Sequence, residues 1–167
     1  LIFISHLRVA RLNGSAVDMT ALGSPTVITL FTLVGLVVLW LNRDRRGCVY
    51  LAVGSIGAAV ATFAVKNIFT RERPSVIPRL VEVAGFSYPS GHSLGATAFY
   101  LLLMFLAWRY YSAWLARAAL LFCAVFVICG VCFSRLYLGV HYPSDVLSGI
   151  CLGASWVFLL TASFAIH

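Results

Sequence analysis

The chain has 167 residues, of which 62% are hydrophobic and only 10% charged, with a mean hydropathy of +0.98. A soluble domain carries about a quarter charged residues and roughly half apolar ones, so an ordinary water-soluble fold is excluded in favour of one polytopic membrane domain over residues 1–167. The net charge of +7 comes in short clusters between apolar runs, which argues against a nucleic-acid partner and fits membrane topology and anionic ligands.

Residues 1–25 mix apolar side chains with Arg8, Arg11, Asn13 and Asp18 and are too polar to span a bilayer. They are expected to be an interfacial amphipathic segment, a remnant of an upstream helix, or a mixture of the two. Nothing in them reads as a complete signal peptide. Gly23-Ser24-Pro25 punctuates the chain and opens an apolar run. An all-α bundle with five spans follows, near 26–42, 48–69, 92–108, 114–134 and 144–166, since about 20 residues of helix cross the hydrocarbon. The first run meets that length only narrowly. In the second, Gly54 and Gly57 are spaced for close helix packing. Cys48, Cys123, Cys129, Cys132 and Cys151 lie in or beside apolar runs without metal-type pairing to histidines, and read as small buried apolar residues rather than a disulfide framework.

Orientation comes from the short loops. Arg43, Arg45 and Arg46 emerge on the same side as Arg109 and Arg117, together with Trp40, Trp108 and Trp114. By the positive-inside rule that side is cytoplasmic. The opposite face then carries Lys66, Arg71, Arg73, Arg79, His92, Arg135, His141 and Asp145, which breaks the charge rule unless those cations serve an anion.

Three clusters carry the chemistry on that face. In Lys66-Asn-Ile-Phe-Thr-Arg-Glu-Arg73-Pro74, a compact and a forked cation can clamp phosphate oxygens; alone, a snorkelling lysine followed by a basic loop would read the same way. In Tyr88-Pro89-Ser90-Gly91-His92-Ser93, Gly91 admits close backbone approach and the helix start offers amides to an anion. His92 is placed there to give or take a proton, although Pro, Ser and Gly are also ordinary helix-start residues. The third is Ser134-Arg-Leu-Tyr-Leu-Gly-Val-His-Tyr-Pro-Ser-Asp145, in which Ser134 is expected to help set a turn. Arg135 can contact phosphate, and Asp145 follows His141 by four residues. A carboxylate on one ring nitrogen fixes the tautomer and frees the other nitrogen to attack. A plain Arg135–Asp145 salt bridge with His141 as bystander is the alternative.

Lys-x6-Arg-Pro, then Pro-Ser-Gly-His, then Ser-Arg-x5-His-x3-Asp resembles the three-part signature of the type 2 phosphatidic acid phosphatase superfamily, of the bacterial integral-membrane kind. The motifs run from Lys66 to Asp145. The resemblance implies a phosphatase for a lipid phosphate or diphosphate, with His141 as nucleophile forming phosphohistidine, Asp145 behind it, and His92 as acid and then base. It also implies that Lys66, Arg73, Arg135, Ser90 and the Gly91 amide hold the phosphoryl oxygens. No metal or other cofactor is expected, because three cationic side chains supply the charge that Mg²⁺ gives elsewhere. The partners expected are the bilayer and a lipid phosphate, with the site on the extracytoplasmic face. Tyr88 stands where phenylalanine is common in the family. The family core also has six helices against five here, which an upstream helix would restore. A phosphatase for a soluble ester and a non-catalytic lipid carrier on the same fold are the other readings.

Overall fold

The computed structural model describes residues 1–165 and consists of helices: α1 (Ile2–His6), α2 (Ala10–Ala21), α3 (Pro25–Leu41), α4 (Arg45–Phe69), α5 (Gly91–Trp108), α6 (Trp114–Tyr137) and α7 (Pro143–Ala165). The starts are written locally. Ser24 Oγ accepts from Val27 N at 3.3 Å with Pro25 at the first helical position, Asp44 Oδ1 accepts from Gly47 N at 2.8 Å, and Ser90 caps α5. Each cap satisfies amides that a helix start leaves without partners. Three of the prolines, Pro74, Pro78 and Pro89, fall in the connection between α4 and α5, where a missing N–H breaks no helix.

Four helices are long and apolar enough to cross a membrane, namely α4, α5, α6 and α7 up to Phe164. A fifth span exists if α2 and α3 are counted together, for they meet at a bend of 44°. The expected first span, 26–42, is the 17-residue α3; α1 and α2 lie within residues 1–25, and α2 packs on α6. The expected end of the last span at 166 lies outside the described residues. Helix α6 runs three residues past its expected end, because nothing breaks it before Gly139, and Arg135 in its last turn complements the helix dipole.

Helix α5 is the axis of the bundle. It packs on α7, α6, α4 and α3, and 56% of its span is buried against 22–28% for the other three. The outer helices turn Phe63, Phe122, Phe126, Leu147, Phe158 and Leu159 outward. An apolar exterior of that extent is stable only against lipid. Cysteine placement follows the same division and corrects the expectation of burial: Cys132 is buried, Cys48 is half-buried, and Cys123, Cys129 and Cys151 lie on the exposed outer surface.

In lipid, close packing rather than water exclusion holds helices together. Gly54 receives Leu102 and Gly57 receives the Trp156 ring, whose Nε1 donates to Gly54 O at 2.9 Å, so both expected packing glycines are used. A second pair, Gly149 and Gly153 on α7, lies against the α5 backbone: a Cβ there would sit 2.8 Å from Ser90 O and from Leu94 O, respectively. Gly153→Ala must therefore push backbone rather than a flexible side chain. It is expected to cost about 1–3 kcal/mol, read as a lower thermal midpoint in detergent. Gly149→Ala should also lower activity, since Ser90 and Leu94 flank His92.

Candidate active site

Antiparallel alternation of the last four helices brings the end of α4, the start of α5, the end of α6 and the start of α7 to one end of the bundle. That end holds Lys66, His92, Arg135 and Asp145, with Arg73 arriving from the α4–α5 connection and His141 from the short turn between α6 and α7. The charges of Arg135, Arg73 and Lys66 act on His92, with the His141 ring also within reach, and those of Arg73, Asp145 and Arg135 act on Lys66. Every site residue expected from the sequence thus lies at this end.

The 138–142 turn aims His141 inward. Gly139 has φ +75°, and a Cβ there would strike Arg8 Nη2 at 2.6 Å and Pro78 O at 3.2 Å. Only glycine fits both the backbone and the crossing of the α4–α5 connection. Arg8 ties the N-terminal segment to this crossing, donating from Nε to Tyr137 O at 2.9 Å and from Nη1 to Pro78 O at 2.7 Å.

His141 is 2% exposed, with Nδ1 3.6 Å from Asp145 Oδ2 and Nε2 3.4 Å from Arg73 Nη1. The distance to Asp145 is long for a hydrogen bond, as is common before substrate tightens a site. Because an ionised carboxylate only accepts, the hydrogen belongs on Nδ1, leaving the Nε2 lone pair toward the cations. Burial pushes the imidazole pKa down to about 4; Asp145 opposes that shift, and Arg135 and Arg73 reinforce it. His141 is therefore neutral near pH 7 and able to act as a nucleophile.

Asp145 is fully buried and its carboxylate accepts three hydrogen bonds. Arg71 Nη1 donates to Oδ1 at 2.8 Å, while Ser87 Oγ at 2.6 Å and Tyr142 N at 2.9 Å donate to Oδ2. Arg71 Nη1 also reaches Ser144 Oγ at 2.8 Å, and its guanidinium lies over the Tyr142 ring at 4.0 Å. Its carbonyl accepts from Ser87 N at 2.7 Å, so Arg71 and Ser87 grip the carboxylate as one unit. The alternative Arg135–Asp145 bridge is thereby replaced by an Arg71–Asp145 pair. Sequence reading placed Arg71 on this face without a role and missed Ser87. A second arginine beside Arg73 was the one signal for the first, and nothing local marked the second.

The remaining cations have no carboxylate. Among the described residues the arginine–carboxylate ion pairs are Arg71–Asp145 and Arg109–Asp44, while the neutral His141 only approaches Asp145. Lys66 Nζ donates to Phe86 O at 2.6 Å, and Arg73 donates to Val140 O, Gly85 O and Ala84 O at 2.9–3.0 Å. Arg135 is 2% exposed; its Nη1 donates to Thr20 Oγ1 at 2.7 Å, and its buried Nε has no partner. Buried positive charge with an unmet donor calls for an anion. Thr20 ties α2 into this wall, a contact no sequence signal announced.

A Cβ at Gly91 would press on Thr62 Cγ2 at 3.2 Å, while the Lys66 stem, 3.7 Å away, would be in ordinary contact. Ser90 is fully buried and accepts from Ser93 Oγ at 2.9 Å, so its oxygen serves the α5 cap and only its hydroxyl hydrogen is left for a ligand. Ser134 does not set the turn: it lies inside α6 and donates to Val131 O at 2.6 Å, because the helix continues to Tyr137.

The PAP2 superfamily model matches residues 47–166. The chain is 29% identical over 160 residues to phosphatidylglycerophosphatase B of Bacillus subtilis, covering 92% of this chain and 76% of that protein. It is 30% identical over 165 residues to the undecaprenyl-diphosphatase of Sulfolobus acidocaldarius, covering 95% and 73%. The fold superposes on the crystal structure of a transmembrane PAP2-type phosphatidylglycerolphosphate phosphatase from Bacillus subtilis with a TM-score of 0.87 and 25% identity, over 97% of this chain and 81% of that one.

Proposed function

The chain belongs to the PAP2 superfamily of lipid phosphate and diphosphate phosphatases, and on that premise we propose that it hydrolyses a membrane lipid phosphate or diphosphate through a phosphohistidine at His141. The observation that carries this reading is a buried, neutral His141 set between Asp145 and the carboxylate-free cations Lys66, Arg73 and Arg135.

The substrate's phosphoryl oxygens lie among Lys66, Arg73 and Arg135, completing the donor set with the first amides of α5. Nε2 of His141 attacks phosphorus and forms the P–N bond as the P–O bond to the lipid breaks. His92, protonated once the bound phosphate anion offsets the surrounding cations, gives its proton to the leaving oxygen. The Nδ1 hydrogen remains toward Asp145, whose negative charge stabilises the imidazolium formed. His92, now neutral, takes a proton from water, whose oxygen attacks phosphorus and releases inorganic phosphate with the P–N electrons returning to His141. Positive side chains carry the electrostatic part, so a chelator should leave the rate unchanged.

A site at the ends of spans lets the lipid tail stay in hydrocarbon while the phosphate reaches the cations. The basic cluster Arg43, Arg45, Arg46, Arg109 and Arg117 at the opposite end supports placing the site on the extracytoplasmic face. Phosphate release from purified protein should be faster with phosphatidate, phosphatidylglycerophosphate or undecaprenyl diphosphate than with short water-soluble esters. Equal or greater rates on the soluble esters would replace the lipid reading with the soluble-substrate one. The acid limb of kcat/KM should lie near pH 4 rather than 6.5, because the nucleophile is lost only when His141 is protonated. An acid limb at 6.5 would show that burial does not depress the His141 pKa.

A further inference from the structure

At the end of the bundle away from His141, a second cavity of about 300 Å³ opens between the start of α4 and the ends of α5 and α7, lined by Arg46, Tyr50, Phe105, Leu106, Arg109, Thr161 and Phe164. Arg46 and Lys66 are separated by 20 residues of one helix, or about 30 Å, so this cavity is distinct from the catalytic end. We infer that it binds the headgroup of an anionic glycerophospholipid.

The lining divides as such a ligand would require. The floor is polar: Tyr50, 5% exposed, shares a hydrogen bond of 2.6 Å with Thr161 Oγ1. Phe105, Leu106 and Phe164 make an apolar wall for the glycerol backbone and the first methylenes. Two guanidiniums stand at the rim. Arg109 commits Nη1 to Asp44 Oδ2 at 2.9 Å, whereas Arg46 is in none of the ion pairs among the described residues. Among the described residues, the one side-chain carboxylate of Asp44 against Arg43, Arg45, Arg46, Arg109 and Arg117 leaves this end strongly positive. A forked guanidinium pair suits a phosphodiester. Depth agrees: Trp40, Trp108, Tyr110, Tyr111 and Trp114 cluster at the same end, Arg45 lies over the Trp40 ring at 5.8 Å, and Trp108 Nε1 donates to Arg117 O at 3.1 Å. Aromatic belts of this kind mark the headgroup level, and basic pockets between spans there take anionic lipids.

The test uses the full chain purified in a neutral detergent and reads its thermal midpoint with added phosphatidylglycerol, phosphatidylcholine or inorganic phosphate. Binding to the native state alone raises the midpoint, here by roughly 3 °C or more with phosphatidylglycerol and not with phosphatidylcholine. A rise with inorganic phosphate belongs to the catalytic cations and should survive the Arg46 and Arg109 changes. Arg46→Gln/Arg109→Gln should abolish the phosphatidylglycerol rise. Asp44→Asn, which breaks the ion pair but keeps both arginines, and Arg135→Ala, which strips the catalytic end of an arginine, should both retain it. Should the double variant fail to fold, Arg46→Gln alone decides and must lose at least half of the rise. An equal rise with phosphatidylcholine overturns the inference, as does a phosphatidylglycerol rise that survives the Arg46 change. A phosphatidylglycerol rise lost in Arg135→Ala also overturns it, by moving the lipid to the catalytic end.

Discussion

Replacing His141 by alanine is expected to lower phosphate release from a long-chain lipid phosphate by on the order of 10⁴-fold or more, the scale at which removing a nucleophile leaves only binding and electrostatics. The protein should remain folded. Asp145 keeps Arg71, Ser87 and the Tyr142 amide after the imidazole is gone, so no buried carboxylate is left unpaired. The cavity created is at a turn between helices rather than in the α5 core. Initial rates, a melting curve and a search for phosphate on the protein after rapid quench should agree: no covalent phosphate in the variant, a normal melt, and a rate near background. A variant that retains a tenth of the activity would exclude His141 as the attacking group and leave the non-catalytic carrier or a different nucleophile to be considered.

Asp145→Asn should cost about 10³–10⁴-fold in kcat, and Arg71→Gln about 10–100-fold, with opposite effects on pH dependence. Asp145 is the group that favours the imidazolium of His141, against the burial that disfavours it. Removing its charge lowers the His141 pKa further, and the acid limb moves below 4. Arg71 neutralises part of that charge from 2.8 Å away. Without it Asp145 acts more strongly on His141, the imidazole becomes easier to protonate, and the limb rises toward 6.5. A purely structural role for Arg71 would lower the melting temperature and kcat without moving the limb. In the double variant the Arg71 change should add little, because the charge it acts through is gone, as expected for residues sharing one network. An unmoved limb in Arg71→Gln, or full additivity with Asp145→Asn, would end the positioning role assigned to it.

Much of this site could be read from residue order because its key relations are local or topological. His141 and Asp145 are four residues apart across a turn closed by Gly139 and Pro143, so their approach follows from the chain itself. Ser24, Asp44 and Ser90 announce helix starts by their own chemistry. Composition and the alternation of apolar runs set the membrane class and brought Lys66, Arg73, His92, Arg135 and His141 to one end.

What remained for the tertiary structure was every choice between equivalent through-space partners. Spacing allowed Asp145 to pair with Arg135, yet Arg71 holds it, because the α4–α5 connection folds back with Ser87 bonded to the Arg71 carbonyl. Arg135 instead reaches Thr20 and keeps a donor unmet, a contact made by a helix more than a hundred residues earlier in the chain. Nor could apolar runs say which side of a helix meets protein and which meets lipid, so four of the five cysteines fell outside the buried class expected of them. Residue order determined which groups share an end of the membrane. Packing around α5 decided which of them touch, since a salt bridge is selected by distance in space and an apolar residue is equally content against protein or lipid.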